Sequence, residues 1–239
     1  MTQSADGADV TYERRGDGQP LILLHGGMAP REYWNAVVPY FDDFGAVLPR
    51  RPGFGTCLDS LETTSAADVL DRETEYVRSL VDAVDGKPIL FGHSFGALTA
   101  LEAARDVAVE AVLAYEPAIL PDGFREQADL ADRMEQLIED GQRCEAVKRY
   151  IETVLHPDGI DDLDGWLAGW PVWPGCVDLA EEVVRMNRAV ERYELPAHLD
   201  IDAPVLAMSG TDGPAFLRKS ARNVHETLPH SRFVEFDGV

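Results

Sequence analysis

The five residues Gly92-His93-Ser94-Phe95-Gly96 constrain this chain more than any other stretch. They follow the apolar run Ile89 to Phe91 and lead directly into the small-residue stretch Ala97 to Arg105, which predicts a strand that turns into a helix without a connecting loop. Such a junction forces its middle residue, Ser94, into a strained backbone conformation, and glycines at 92 and 96 remove side chains that would strike neighbouring backbone. The serine hydroxyl then stands at the mouth of a sheet, beside the unpaired N–H groups and positive dipole end of a helix start. This is the elbow that presents a serine nucleophile. The bland reading is a serine at a tight turn, and the strand–turn–helix setting weighs against it.

Around the elbow, short apolar runs alternate with helical periodicity, the pattern of parallel strands covered on both faces. The runs are Leu21 to Leu24, Ala46 to Leu48, Ile89 to Phe91, Val109 to Tyr115 and Val205 to Met208, and a final strand is expected over Arg232 to Phe236. An extended Val10 to Arg14 and the turn Gly16-Asp17-Gly18 suggest a hairpin into the first of them. Helices are expected around Glu32 to Phe41 and over Ala66 to Val84, Ala97 to Arg105 and Ala215 to Leu228. Between Pro121 and about Leu199 the strands stop, and acidic amphipathic segments (Phe124 to Asp140, Cys144 to Leu155, Leu179 to Tyr193) predict an inserted helical cap. The expected architecture is therefore one α/β domain over residues 1–239. A mostly parallel doubly wound sheet is built from 1–120 and 200–239, and the cap occupies 121–199.

Charge narrows the partners: 21 basic and 43 acidic residues give a formal net charge of −22. Nucleic acid and anionic membranes would be repelled by such a surface. Lys87, Lys148 and Lys219 are the only lysines, and the excess of carboxylates points to a halophilic setting in which salt screens their repulsion, the alternative being an ordinary acidic protein from a GC-rich genome. No run of about 20 apolar residues is present, and MTQSADGADV has neither the basic nor the apolar part of a signal peptide, so a cytoplasmic location is expected. Cys57, Cys144 and Cys176 are widely spaced, as reduced cytosolic thiols would be. The six histidines form no HExxH or HxxxH pair, so no metal site is expected.

A second glycine motif, His25-Gly26-Gly27, follows the strand Leu21 to Leu24 and would end at the ligand-binding edge of the sheet. Its backbone can face a bound carbonyl, and Gly27 is the expected second oxyanion donor, paired with the N–H of Phe95. A structural role in holding the loop is expected for His25.

With both motifs in place, the chain resembles the α/β-hydrolase fold family, serine hydrolase branch, from Val10 onward. Arg51-Pro52-Gly53-Phe54-Gly55, Tyr115-Glu116-Pro117 and Ser209-Gly210-Thr211-Asp212 are further matching pieces. The resemblance implies a triad in chain order serine, acid, histidine, with Ser94 as nucleophile, Asp212 as acid and Glu116 as the alternative acid. It implies no cofactor, and a small-molecule substrate with an ester or related acyl bond. A serine at position 94 argues against the dehalogenase and epoxide hydrolase branches, which place an aspartate there.

The departure is at the far end, where the family carries its histidine just beyond the last strand and then a final helix. Here Phe236-Asp237-Gly238-Val239 is followed by neither. His225 and His230 precede the strand, His156 and His198 belong to the cap or its edge, and His93 is locked in the elbow. The expectation is an esterase-like enzyme impaired over residues 1–239, the alternative being a non-catalytic ligand-binding or scaffold protein. Trp166, Trp170 and Trp173 form an aromatic cluster that would either line the substrate pocket or pack the cap onto the sheet.

Overall fold

The computed structural model describes residues 2–3, 9–29, 31–51, 66–125 and 129–238. A short antiparallel ladder pairs β1 (Thr2–Gln3) with β2 (Asp9–Val10). The principal sheet contains β3 (Tyr12–Arg15), β4 (Gln19–Leu24), β5 (Phe44–Pro49), β6 (Ile89–His93), β7 (Ala111–Tyr115), β8 (Val205–Gly210) and β9 (Arg232–Phe236). Their spatial order is β3-β5-β4-β6-β7-β8-β9, with only β3 antiparallel to its neighbour. The predicted doubly wound, mostly parallel sheet is present.

Alternation of side chains across the pleat divides β4 between two cores. Ile22 and Leu24 pack with α1 (Ala66–Ala83) and α2 (Phe95–Ala103) on one face. Leu21 and Leu23 pack with Trp34, Ala46 and Leu48 on the other. Burial on both faces is why these strands read as unbroken apolar runs. The helix α7 (Ala215–Thr227) follows β8 and adds Val224 to the larger core.

Two expectations are corrected. The turn Gly16-Asp17-Gly18 does not close a hairpin, because β3 pairs with β5 while β4 lies on the far side of β5. The turn instead crosses the start of β5, where a side chain on either glycine would meet the backbone of Asp43 and Phe44. The segment around Glu32 to Phe41 forms two 3₁₀ turns, Arg31–Ala36 and Val38–Tyr40, rather than one amphipathic α-helix. Pro39 lacks the donor that an α-helical turn needs, and Val37 and Val38 are β-branched.

The cap comprises α3 (Leu130–Glu139), α4 (Arg143–Tyr150), a π-helical turn Ile151–Leu155, α5 (Leu163–Gly169), a 3₁₀ turn Gly175–Leu179 and α6 (Ala180–Arg192). It has its own apolar cluster, in which Met134, Val147, Ile151 and Val184 are fully buried. α6 joins cap to sheet, since Val183 and Val184 face the cap cluster whereas Met186, Ala189 and Val190 pack into the main core. Among the described residues no helix is long and apolar enough to cross a membrane.

Candidate active site

The site gathers at the C-terminal ends of four adjacent strands. β6 lies between β4 and β7, and β8 follows β7. His25 to Gly27 leave the end of β4, Ser94 the end of β6, Glu116 the end of β7, and Asp212 lies just past β8. The crossover from β4 runs toward β5 and that from β6 toward β7, so the cleft between β4 and β6 is the point where the winding reverses and ligands bind.

Ser94 has φ 55° and ψ −121°, the strained conformation expected of the elbow. Its environment holds it there. The Ser94 N–H donates to the Tyr115 carbonyl at 3.0 Å, and its own carbonyl accepts from Ala97 (2.9 Å), Leu98 (3.2 Å) and Ala118 (3.1 Å). A Cβ at Gly92 would strike the backbone of Gly96 and Ala97, and one at Gly96 the backbone of Leu24 and His25. Only glycine lets the helix leave the strand this closely. The N–H groups of Gly27 and Phe95 have no partner among the described residues, and Phe95 opens α2.

Ser94, Gly27 and Phe95 share one cavity of about 240 Å³. Its other walls come from the cap and α7: Leu130, Tyr150, Val154, Val183, Met186, Val190, Phe216 and Leu217. The lining is mainly apolar, with Tyr150, Thr153, Asn187 and Glu191 as its polar cap residues. The Glu191 carboxylate accepts from the Asn187 side chain at 2.7 Å and from the Ala131 N–H at 3.0 Å, and burial raises its pKa. Trp166, Trp170 and Trp173 do not line this cavity. They pack against the cap's own cluster, with the rings of Trp166 and Trp170 5.0 Å apart.

The two carboxylates differ in setting. Asp212 is exposed, its Oδ1 3.3 Å from the Thr211 hydroxyl. Thr211 in turn ties this loop to the end of β9, donating its N–H to the Phe236 carbonyl at 2.9 Å and accepting the Gly238 N–H at 2.9 Å. Glu116 is buried with a positive φ of 47° and accepts the Gly210 N–H at 3.2 Å. Burial raises its pKa, opposed by that hydrogen bond and by Arg218.

None of the six histidines lines the cavity. His25 is buried with Nδ1 2.9 Å from the Gly26 carbonyl, and desolvation, with Arg51 nearby, lowers its pKa to about 3. His93 stacks on Tyr33 at 5.7 Å, and burial lowers it to about 4. His156 packs edge-on against Trp166, His198 is 3.2 Å from Asp200, and His225 Nδ1 is 2.7 Å from Ser231 Oγ. His230 is exposed before β9. Among the described residues no cluster of His, Cys, Asp or Glu is arranged to hold a metal.

One set of site-supporting residues was not legible in the sequence. Arg51 donates through Nη1 to the His25 carbonyl at 2.6 Å and through Nε to Glu73 at 2.8 Å. Arg72 bridges from Glu73 (3.3 Å) to Glu182 on α6 (2.8 Å), and Glu182 also pairs with Arg185 at 2.7 Å. This buried network links the loop His25 to Gly27, α1 and the cap helix. The rest of the Arg51 motif, 52–55, and Cys57 lie outside the described residues.

Comparison with known proteins identifies the class. The sequence profile of the Alpha/beta hydrolase family matches residues 21–239, and the chain belongs to that family. It is similar to a 2-hydroxy-6-oxo-6-(2'-aminophenyl)hexa-2,4-dienoic acid hydrolase of Metapseudomonas resinovorans, 32% identical over 105 residues, 41% of this chain and 34% of that protein. A pimeloyl-[acyl-carrier protein] methyl ester esterase of Legionella pneumophila (strain Paris) is 28% identical over 97 residues, 40% of this chain and 36% of that protein. The matched stretches thus span about a third of each of these relatives. Among solved structures, an alpha/beta hydrolase from Sphaerobacter thermophilus DSM 20745 superposes with a TM-score of 0.81 at 26% identity, covering 98% of this chain and 91% of that one. The esterase RhEst1 from Rhodococcus sp. ECU1013 shares the fold, with a TM-score of 0.70 at 20% identity over 99% and 89% of the two chains.

Proposed function

We propose that this protein is a cofactor-independent serine hydrolase that cleaves a carboxylic ester or related acyl bond through an acyl-enzyme on Ser94. The observation that carries the reading is the strained Ser94 opening into an apolar cavity beside the unpartnered N–H groups of Gly27 and Phe95. In this reading Ser94 Oγ attacks the acyl carbon, its proton passes to a general base, and the two N–H groups receive the charge that develops on the carbonyl oxygen. The small apolar cavity suits a compact, uncharged acyl group. A surface with a net charge of −22 disfavours substrates presented on polyanions. The names of the two curated relatives, a hydrolase of a dienoic acid and a methyl ester esterase, fit hydrolysis at an acyl carbon.

Asp212 is the acid in the sequence-based assignment. Glu116 is a second reading, favoured by burial and by its anchoring to Gly210, because the carboxylate that orients an imidazole works best fixed and shielded from water. The position of the histidines away from the cavity favours one further alternative, a non-catalytic ligand-binding protein on the same fold.

A fluorophosphonate probe decides between enzyme and binder. The proposal requires covalent labelling that disappears in Ser94→Ala, and labelling that persists in that variant would overturn it. Because none of the six histidines touches the cavity, labelling and hydrolysis of p-nitrophenyl butyrate are both expected to be slow but measurable, and both to depend on Ser94.

A further inference from the structure

We infer that Tyr150, carried by the cap, is a third donor to the substrate's carbonyl oxygen and completes the oxyanion site of Gly27 and Phe95. The inference rests on the serine hydrolase reading and names a residue that reading does not use.

The geometry starts from the glycine pair after β4. A Cβ on Gly26 would lie 2.9 Å from the Cβ of Ser94, and a Cβ on Gly27 would lie 3.0 Å from the hydroxyl oxygen of Tyr150. Ser94 and the Tyr150 hydroxyl therefore flank the same dipeptide, one against each glycine. The absent side chain at Gly27 leaves the room that the phenol tip occupies. All three residues line the cavity.

The hydroxyl is also chemically unspent. Tyr150 is 8% exposed, and its O–H has no hydrogen-bond partner among the described residues. The hydroxyl oxygen is not fully buried and Tyr150 lines the cavity, so an incoming acceptor can reach it. Burial alone raises its pKa to about 12, so the group keeps its proton at neutral pH and can only donate or accept a hydrogen bond. The cap backbone is irregular at this point, where α4 gives way to the π-helical turn Ile151–Leu155 immediately after Tyr150. Such turns are frequent at functional sites. As charge grows on the carbonyl oxygen the Tyr150 hydrogen bond strengthens, and no proton leaves the tyrosine.

Tyr150→Phe removes the O–H and keeps the ring that packs in the cap. Two readouts are needed on the full chain: the rate of fluorophosphonate labelling at Ser94, and kcat and KM for p-nitrophenyl butyrate. The expected result is labelling and kcat both slowed on the order of 10²-fold, the scale of one lost oxyanion donor, with KM and the thermal midpoint within error of the parent. Unchanged rates overturn the inference, as does a change confined to KM or one that merely follows a fall in the midpoint. If the parent protein is not labelled at Ser94, the serine hydrolase reading fails first and the inference falls with it, whatever the variant does.

Discussion

The carboxylate of Glu116 accepts the backbone N–H of Gly210 at 3.2 Å, which ties the end of β7 to the end of β8 beside the loop that carries Asp212. Gly213, one residue past Asp212, packs directly on the same carboxylate, with no room between them for a Cβ. The two candidate acids thus occupy one corner of the site, one buried and one exposed.

Substitution separates them. In a variant given a histidine base just past β9, Asp212→Asn lowers kcat by orders of magnitude if Asp212 orients that base, while Glu116→Gln leaves it within a few-fold. If Glu116 is the acid, the pattern inverts. Steady-state kinetics on both variants, with circular dichroism to confirm folding, reads the result directly.

Removing the guanidinium of Arg51 should be costly for stability. Arg51 and Glu73 are both almost fully buried, and breaking such a pair leaves an uncompensated charge, at about 3–5 kcal/mol. Arg72 also reaches Glu73, so the lower end of that range is expected for Arg51→Met. Urea unfolding of this variant should show a clearly lower midpoint with an unchanged m-value. An unchanged midpoint would mean that the network does not hold the loop from His25 to Gly27.

Acid should destabilise the protein through His25 and His93. Burial lowers their folded-state values to about 3 and about 4, below the ordinary 6.5, so the unfolded chain binds their protons first. Their contribution to stability is complete above pH 6.5 and is lost as pH falls toward 4. The slope is on the order of 1 kcal/mol per pH unit for each histidine. Glu116 has the opposite sign, because its raised value favours folding at low pH. Thermal midpoints measured from pH 7.5 to 4.5 should fall, and His93→Gln should flatten the slope whatever it does to the midpoint itself.

Salt should stabilise the fold. A net charge of −22 on 239 residues repels itself within the compact state, and molar potassium chloride shortens the screening length to about 3 Å. The thermal midpoint is expected to rise from dilute buffer to molar salt. No change would remove the halophilic reading.

Local chemistry made the sheet and the elbow legible in the sequence. Leu21 to Leu24, Ala46 to Leu48, Ile89 to Phe91, Val109 to Tyr115 and Val205 to Met208 fall within or overlap strands, because burial on both faces demands nearly unbroken apolar residues. Arg232 to Phe236 is a strand as predicted, at the half-exposed edge of the sheet. Ser94 at φ 55° was likewise foreseeable, since strand, glycine and helix meet within five residues. Where adjacent elements make different pairings possible, local pattern was not enough. Gly16 to Gly18 looks the same whether it closes a hairpin or crosses a third strand, and only the pairing of β3 with β5 decides. The tryptophans are equally apolar in a pocket or in a cap core, and it was the packing of α5 and the 3₁₀ turn within the cap that turned them from the cavity.

The polar contacts of the site lie still further from sequence reach. Arg51 and Glu73, and Arg72 and Glu182, are separated by 22 and 110 positions, and nothing local marks one partner for the other; Tyr150 comes to rest beside Gly27 from still further along the chain. The sequence by itself determined where a strained serine would stand, because strand, glycines and helix start meet within five residues. Only the tertiary structure decided which side chains surround it, because the cap that supplies them is placed by the packing of α6 against both cores.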